Sequence, residues 1–222
     1  RAFCAGADVV RLQREILQSR DNNRNYADSF FFNEYRLDYL IHVIKKPIIC
    51  WGSGIVMGGG LGLLSGCSHR LGTVSTKLAM PEITIGLFPD AGGTKFLADL
   101  PGQLGWFLGL TGCHLTSRDA LALGLLDMVV DEGKKEEIFD SVCNIEWAND
   151  SSENLEKVSS VLKKFEVEAE GSRGLFEHRF EVAGLIKACL SAEDFLQEFE
   201  KRLPTLSSND WMSGAKDNYF GG

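Results

Sequence analysis

The sequence predicts an α/β protein that turns almost wholly helical past its midpoint. Three observations carry this. Short apolar runs of strand length alternate with helix-period stretches over residues 1–130. Four of the five residues from Gly58 to Gly62 are glycine, within the most apolar region. The charge balance then shifts: residues 1–130 hold 12 Lys and Arg against 11 Asp and Glu, while residues 131–202 hold 10 against 18. The expected division is a near-neutral core over 1–130 and an acidic helical extension over 131–222.

The elements follow in order. Residues 8–19 read as a helix with Val9, Leu12, Ile16 and Leu17 on one face, and 21–25 as a polar loop. Residues 28–44 form a second amphipathic run, with Phe30, Leu37, Ile41 and Ile44 as its stripe, broken by Lys46-Pro47. Residues 48–51 have a buried-strand pattern, and the glycine cluster leads into a short helix ending near Cys67. Residues 70–74 and 78–80 read as strands and Asp90 to Gly93 as a turn. Short helices are expected at 94–99 and 103–110, with Ser117 capping another and 128–130 as a strand. Residues 134–143, 154–165, 175–188 and 192–203 read as charged amphipathic helices.

Composition narrows the function. The 222 residues are 44% hydrophobic and 24% charged, which suits a packed globular core. A net charge of −8 argues against a nucleic-acid partner but leaves room for a small anionic ligand. The six cysteines (Cys4, Cys50, Cys67, Cys113, Cys143 and Cys189) are widely spaced with no CxxC pair, so reduced thiols and no metal site are expected. No apolar run reaches 18 residues and no signal peptide is visible, so neither a membrane span nor secretion is expected.

Glycine inside a helix costs roughly 0.5–1 kcal/mol against alanine, so the cluster at 58–62 needs a reason. Close helix–strand packing is one. A dinucleotide fingerprint fails in every register, and no Gly-Lys-Ser/Thr follows to make a phosphate loop. The remaining reading is an anion site of bare backbone amides at a helix start. Its neighbours Val56, Met57, Leu61 and Leu63 are apolar, which suits a charge that appears only in an intermediate, such as an oxyanion. No G-x-S-x-G elbow supplies a serine nucleophile, and none of His42, His69, His114 and His178 has a triad-like setting. Carboxylates are better candidates. Glu82 lies among Met80, Pro81, Ile83 and Ile85, neighbours able to raise its pKa toward acid/base work. Asp90 follows beside a glycine turn. Against these stand two plainer readings, a solvated strand-end charge for Glu82 and an Asx-type turn for Asp90.

The stretches RAFCAGADV at 1–9, KPIICWGSGIVMGGGLGLL at 46–64, AMPEITIGLFPDAGGT at 79–94 and LTGCHLTSRDALALGLLDMVV at 110–130 together resemble the crotonase, or enoyl-CoA hydratase/isomerase, superfamily. FFNEY at 31–35, GLFPD at 86–90 and the acidic segment with Trp147 are most similar to its 3-hydroxyisobutyryl-CoA hydrolase branch. The resemblance implies a spiral of β-β-α turns with a helical C-terminal extension, often assembled as trimers or hexamers. It implies a coenzyme A thioester as substrate, no separate cofactor and no metal. It places the oxyanion-holding amides at Ala7 and Gly59, catalytic carboxylates at Glu82 and Asp90, and substrate-contacting positions at Glu34, Gly59, Glu82 and Asp90. It also implies a role in valine catabolism, in a bacterial cytoplasm or a mitochondrial matrix.

One position departs from the hydratases, which carry glutamate where this chain has Gly62. A single acid/base group is then expected beside the oxyanion site, which suits thioester hydrolysis better than hydration. Glu82 attacks the carbonyl or activates water, and residue chemistry leaves both open. The alternatives are an isomerase or hydratase on the same fold and a non-catalytic acyl-CoA-binding protein. The chain begins at Arg1 rather than methionine and lacks the family's leading strands and closing helices, so a fragment of a longer protein is expected.

Overall fold

The structure is a computed structural model that describes residues 2–18, 25–169, 174–189, 191–206 and 215. The loop expected at 21–25 lies outside them except for Asn25. The chain opens with strand β1 (Ala2–Cys4), then helices α1 (Val9–Gln18) and α2 (Asn25–Val43). Strands β2 (Ile49–Gly52) and β3 (Ile55–Met57) lead into helix α3 (Gly59–Gly66), and β4 (His69–Gly72) and β5 (Lys77–Ala79) repeat the pair. A 3-10 turn at Glu82–Ile85 precedes α4 (Gly93–Ala98) and α5 (Leu104–Thr111). Then come β6 (Leu115–Thr116), α6 (Ser117–Ala122), β7 (Met128–Val129), and helices α7 (Lys135–Cys143), α8 (Ser151–Leu162), α9 (Arg179–Lys187) and α10 (Ala192–Leu206).

The strands sort into two sheets by alternation. One has the order β1-β3-β5-β6, the other β2-β4-β7. Over β2 to β5 each turn of chain gives one strand to each sheet, turns a corner, and returns to lay the next pair parallel on the last, while β6 closes its sheet antiparallel to β5. Ile49 pairs with His69 in one sheet while Ile55 pairs with Lys77 in the other. Parallel neighbours need a crossover, which α3 supplies between β3 and β4. The corner of the second turn is tied to the first: Thr76 Oγ1 donates to the Gly52 carbonyl at 2.6 Å and Lys77 N–H to the Gly54 carbonyl at 2.8 Å.

Val56, Leu61, Leu64, Leu78 and Phe107 build the main core, and Phe195 and Phe199 of α10 complete it. These last two rings stack at 5.4 Å, and both meet Phe107 edge-on. A second cluster, of Leu71, Met128, Val130, Ile138, Val158 and Leu162, packs α7 and α8 against the β2-β4-β7 sheet. His69 is structural here: its ring meets Ser68 on one side and Ser159 of α8 at 3.0 Å on the other.

Three local expectations change. The cap of α6 is Thr116, one residue before Ser117, because Asp119 completes a reciprocal capping box with it. Glu82 begins a 3-10 turn rather than ending a strand, since Pro81 stops β5 and Gly86 at φ 70° closes the turn. In α2, Leu37 and Ile44 of the expected stripe are about half exposed.

Candidate active site

The parallel order β1-β3-β5 brings three C-terminal strand ends together. Cys4 pairs with Val56, and Met57 with Ala79. The segments that leave these ends are 5–7, 58–59 and 81–82, so they emerge side by side at one edge, where open α/β sheets place their ligands. A cavity of about 660 Å³ opens there, and Ala7, Glu34, Gly59, Glu82 and Asp90 all line it. The structure therefore brings together every site residue expected from sequence. Among the described residues no histidine lines this cavity, and no group of three His, Cys, Asp or Glu side chains is placed to hold a metal.

The glycine cluster is read here at close range. Gly58 caps α3 at φ 55°, a left-handed value that favours glycine. Gly59 is the first helical residue, and helix geometry gives its N–H no partner within α3. Gly6, at φ 90°, carries the 5–7 loop so close that a Cβ on it would lie 3.6 Å from the Gly59 nitrogen. A Cβ on Gly58 would lie 2.9 Å from Glu82 Oε1, and one on Gly59 would overlap the Glu34 carboxylate. A Cβ on Gly60 would strike the Cys4 backbone, which is the packing role weighed as the plain reading. The cluster thus serves packing at Gly60, and at Gly58 and Gly59 it lets the Glu82 and Glu34 carboxylates come against the backbone at the start of α3.

Glu82 is only 6% exposed, and its Oε2 is enclosed without a hydrogen-bond partner. Burial pushes its carboxyl from the ordinary 4.5 up to about 7; a backbone hydrogen bond opposes the rise and the charge of Asp90 adds to it. Glu34 reaches the site from α2. Burial first, then the charges of Asp90, Asp38 and Glu82, push it from 4.5 to about 7 as well. Asp90 accepts a hydrogen bond from the Tyr35 hydroxyl at 2.8 Å. Asp38, one turn beyond Glu34, has both carboxylate oxygens enclosed and unpaired, and burial with the Asp90 charge lifts it from 3.8 to about 6. Glu34, Glu82 and Asp90 thus share one cavity, with Asp38 close enough to add its charge to Glu34.

Two features escaped the sequence reading. Tyr35 and Asp38 belong to this cluster; the signal was their spacing from Glu34, which shares a helix face with position 38. The expectation of a single acid/base group beside the oxyanion site also fails. Position 62 lacks its carboxylate, but Glu34 brings a second one to Gly59 from another helix.

The apolar wall is supplied by α1. Val10, Leu12, Ile16 and Leu17 line the cavity, and two of them reach far into solvent: Leu17 is 77% exposed and Val10 62%. An apolar wall, bare amides and a buried carboxylate suit a neutral carbonyl compound that becomes an oxyanion.

The chain is similar to known proteins along nearly its whole length. The chain is 36% identical to the mitochondrial 3-hydroxyisobutyryl-CoA hydrolase of Gallus gallus, over 90% of this chain and 51% of that protein. It is 35% identical to the mitochondrial 3-hydroxyisobutyryl-CoA hydrolase of Homo sapiens, over 86% and 47%. The chain spans about half the length of the curated relatives it matches. Among solved structures, a carnitinyl-CoA dehydratase from Mycobacterium thermoresistibile superposes with a TM-score of 0.78 at 30% identity, covering 98% of this chain and 58% of that one. An enoyl-CoA hydratase from Rhodobacter sphaeroides 2.4.1 gives 0.66 at 27%, covering 90% and 57%. The expected crotonase-like α/β spiral is thereby borne out. With its sequence matching the enoyl-CoA hydratase/isomerase pattern over residues 1–219, the chain belongs to the enoyl-CoA hydratase/isomerase, or crotonase, family.

Proposed function

We propose that the protein containing this chain is a coenzyme A thioester hydrolase acting on a short branched 3-hydroxyacyl-CoA such as 3-hydroxyisobutyryl-CoA. The observation that carries this reading is the buried Glu82 carboxylate set against Gly58, beside the unpartnered start of α3. The names of the relatives support it. In this reading the thioester oxygen accepts from the Ala7 and Gly59 N–H groups. Glu82 either attacks the carbonyl carbon, giving an acyl-glutamyl anhydride that water then opens, or takes a proton from water that attacks in its place. The tetrahedral intermediate collapses by breaking the C–S bond. A thiol pKa near 8.5 makes coenzyme A thiolate a fair leaving group. Asp90 and Glu34 position the 3-hydroxyl, which has one proton to donate and lone pairs to accept, or support Glu82. Coenzyme A is part of the substrate, and no other cofactor enters. A reducing compartment, bacterial cytoplasm or mitochondrial matrix, fits the six free cysteines. A homo-oligomer belongs to the same reading; exposed Phe32 on α2 supplies apolar surface for it.

One observation favours a second reading, hydration of an enoyl-CoA. Glu34 and Glu82 both flank the oxyanion position, as two acid/base groups would for adding water across a double bond. One pair of assays on the full-length protein separates the two. Hydrolysis predicts free thiol released from 3-hydroxyisobutyryl-CoA and little loss of conjugated-enoyl absorbance from crotonyl-CoA. Rapid loss of that absorbance with no free thiol would replace hydrolase by hydratase. Binding with neither signal would mark a non-catalytic acyl-CoA-binding protein.

A further inference from the structure

Asp90 lines two cavities at once. The first holds Glu82 and Gly59; the second, of about 820 Å³, lies farther along α3 and is lined there by Gly62, Ser65 and Gly66. What stands between them is thin. The Tyr35 hydroxyl is bonded to Asp90 at 2.8 Å, and the Tyr35 ring lies against Phe31 with centroids 5.7 Å apart. Phe31 faces the first cavity and Tyr35 the second. The partition is therefore two side chains of α2 latched to Asp90 of the 86–92 loop, whose next residue, Ala91, rests on α3 at Gly62.

The second cavity suits an alkyl chain. Phe88, Ala91, Phe96 and Leu100 line it. Three of its charged groups are already engaged, Arg70 with Asp127 and Lys95 and Asp99 with each other. The Asp38 carboxylate oxygens are withdrawn from solvent. Helix α3 rises about 1.5 Å per residue, so Gly66 lies about 10 Å from Gly59, the reach of a medium-length acyl chain. An acyl tail running along α3 from a carbonyl held at Gly59 meets the Tyr35–Asp90 latch before it reaches this room.

We propose that Tyr35, latched to Asp90, is the specificity-determining wall that restricts the site to short acyl groups, and that the second cavity receives a longer tail once the wall is removed. This rests on the acyl-CoA reading of the first cavity. The test uses the full-length protein, its Tyr35→Ala and Tyr35→Leu variants, and Tyr35→Phe, which keeps the ring but loses the latch. Butyryl-, hexanoyl-, octanoyl- and decanoyl-CoA are the probes, with affinity measured by calorimetry and cleavage by free thiol. In the wild type, affinity and kcat/KM fall as the chain lengthens. In Tyr35→Ala the octanoyl-to-butyryl ratio rises by about tenfold or more, the scale on which pocket volume discriminates methylenes. Tyr35→Leu moves it the same way, and Tyr35→Phe moves it less. A folded Tyr35→Ala or Tyr35→Leu protein with the wild-type ratio overturns the wall and leaves the hydrolase reading intact. The predicted change in affinity without any cleavage overturns the hydrolase reading and leaves the wall standing. If no acyl-CoA binds, both fall.

Discussion

A Cβ on Gly62 would lie 2.6 Å from both the Cβ and the carbonyl oxygen of Ala91. Ala91 itself sits at φ 44°, a backbone conformation that side-chain-bearing residues rarely adopt. The loop that carries Asp90 is thus folded down onto the helix at the point where hydratases have a glutamate. The missing carboxylate is a matter of space as well as sequence. Gly62→Glu should accordingly fail to install hydration. It should push Ala91 away and move Asp90 with it. The expected outcome is lost thioester cleavage, no gain in crotonyl-CoA hydration, and a melting point lowered by an overpacking penalty of about 1–3 kcal/mol. Ultraviolet assays with a thermal melt decide it, and a stable variant that hydrates crotonyl-CoA would refute the argument.

Glu82 must be ionised to attack or to take a proton. Its carboxyl is lifted to about 7, so kcat/KM should climb with pH through a midpoint near 7 and level off above it. Glu82→Gln should lower turnover by at least ~10² at the plateau. Acyl-CoA affinity, measured separately, should change much less. A pH profile flat from 5 to 8, or near-normal turnover in a folded Glu82→Gln protein, would remove Glu82 from the chemistry.

How much of this was legible beforehand follows from the range of the interactions involved. Helices α1, α2 and α3 and strand β2 showed in the sequence because periodicity and glycine punctuation are local. Strands β1 and β3 were not read as strands, since the motifs that contain them were read for their glycines and amides. The positions of Ala7, Gly59 and Glu82 came with their motifs, and the three parallel strand ends explain why those motifs meet. Tyr35 and Asp90 lie 55 residues apart, and Glu34 meets Gly59 only because α2 packs across α3. No local pattern states such a contact. The acid count at the site was therefore set too low.

Gly59 tests the oxyanion assignment directly. Helix geometry gives its N–H no partner within α3, and a side chain there overlaps Glu34, so even Gly59→Ala should drive that carboxylate out of place. Turnover should fall by roughly 10²–10³, the scale of losing one oxyanion donor. The fold should survive, because Glu34 is the movable end of a long side chain. Circular dichroism with a free-thiol assay reads both. A fully active Gly59→Val protein would show that the carbonyl binds elsewhere.

The raised carboxyl of Glu82 also sets a pH dependence of stability. A folded-state value of about 7 against an ordinary 4.5 means that the native protein holds this proton more tightly than the unfolded chain does. The stabilising effect is complete below about pH 4.5 and is lost as pH rises through about 7, because unfolding in that window releases a proton. Glu82→Gln cannot ionise, so it should escape the loss. The variant should gain about 1–3 kcal/mol relative to wild type between pH 5 and pH 8, from a shift of this size at 1.36 kcal/mol per unit. Glu34 acts in the same direction, and it should titrate more easily once its neighbour is neutral. Urea unfolding at pH 5 and at pH 8 gives the comparison. A stability difference between variant and wild type that does not change with pH would mean that Glu82 is ionised at no cost in the folded protein. The buried, unpaired Oε2 would then need a partner, and the site another base.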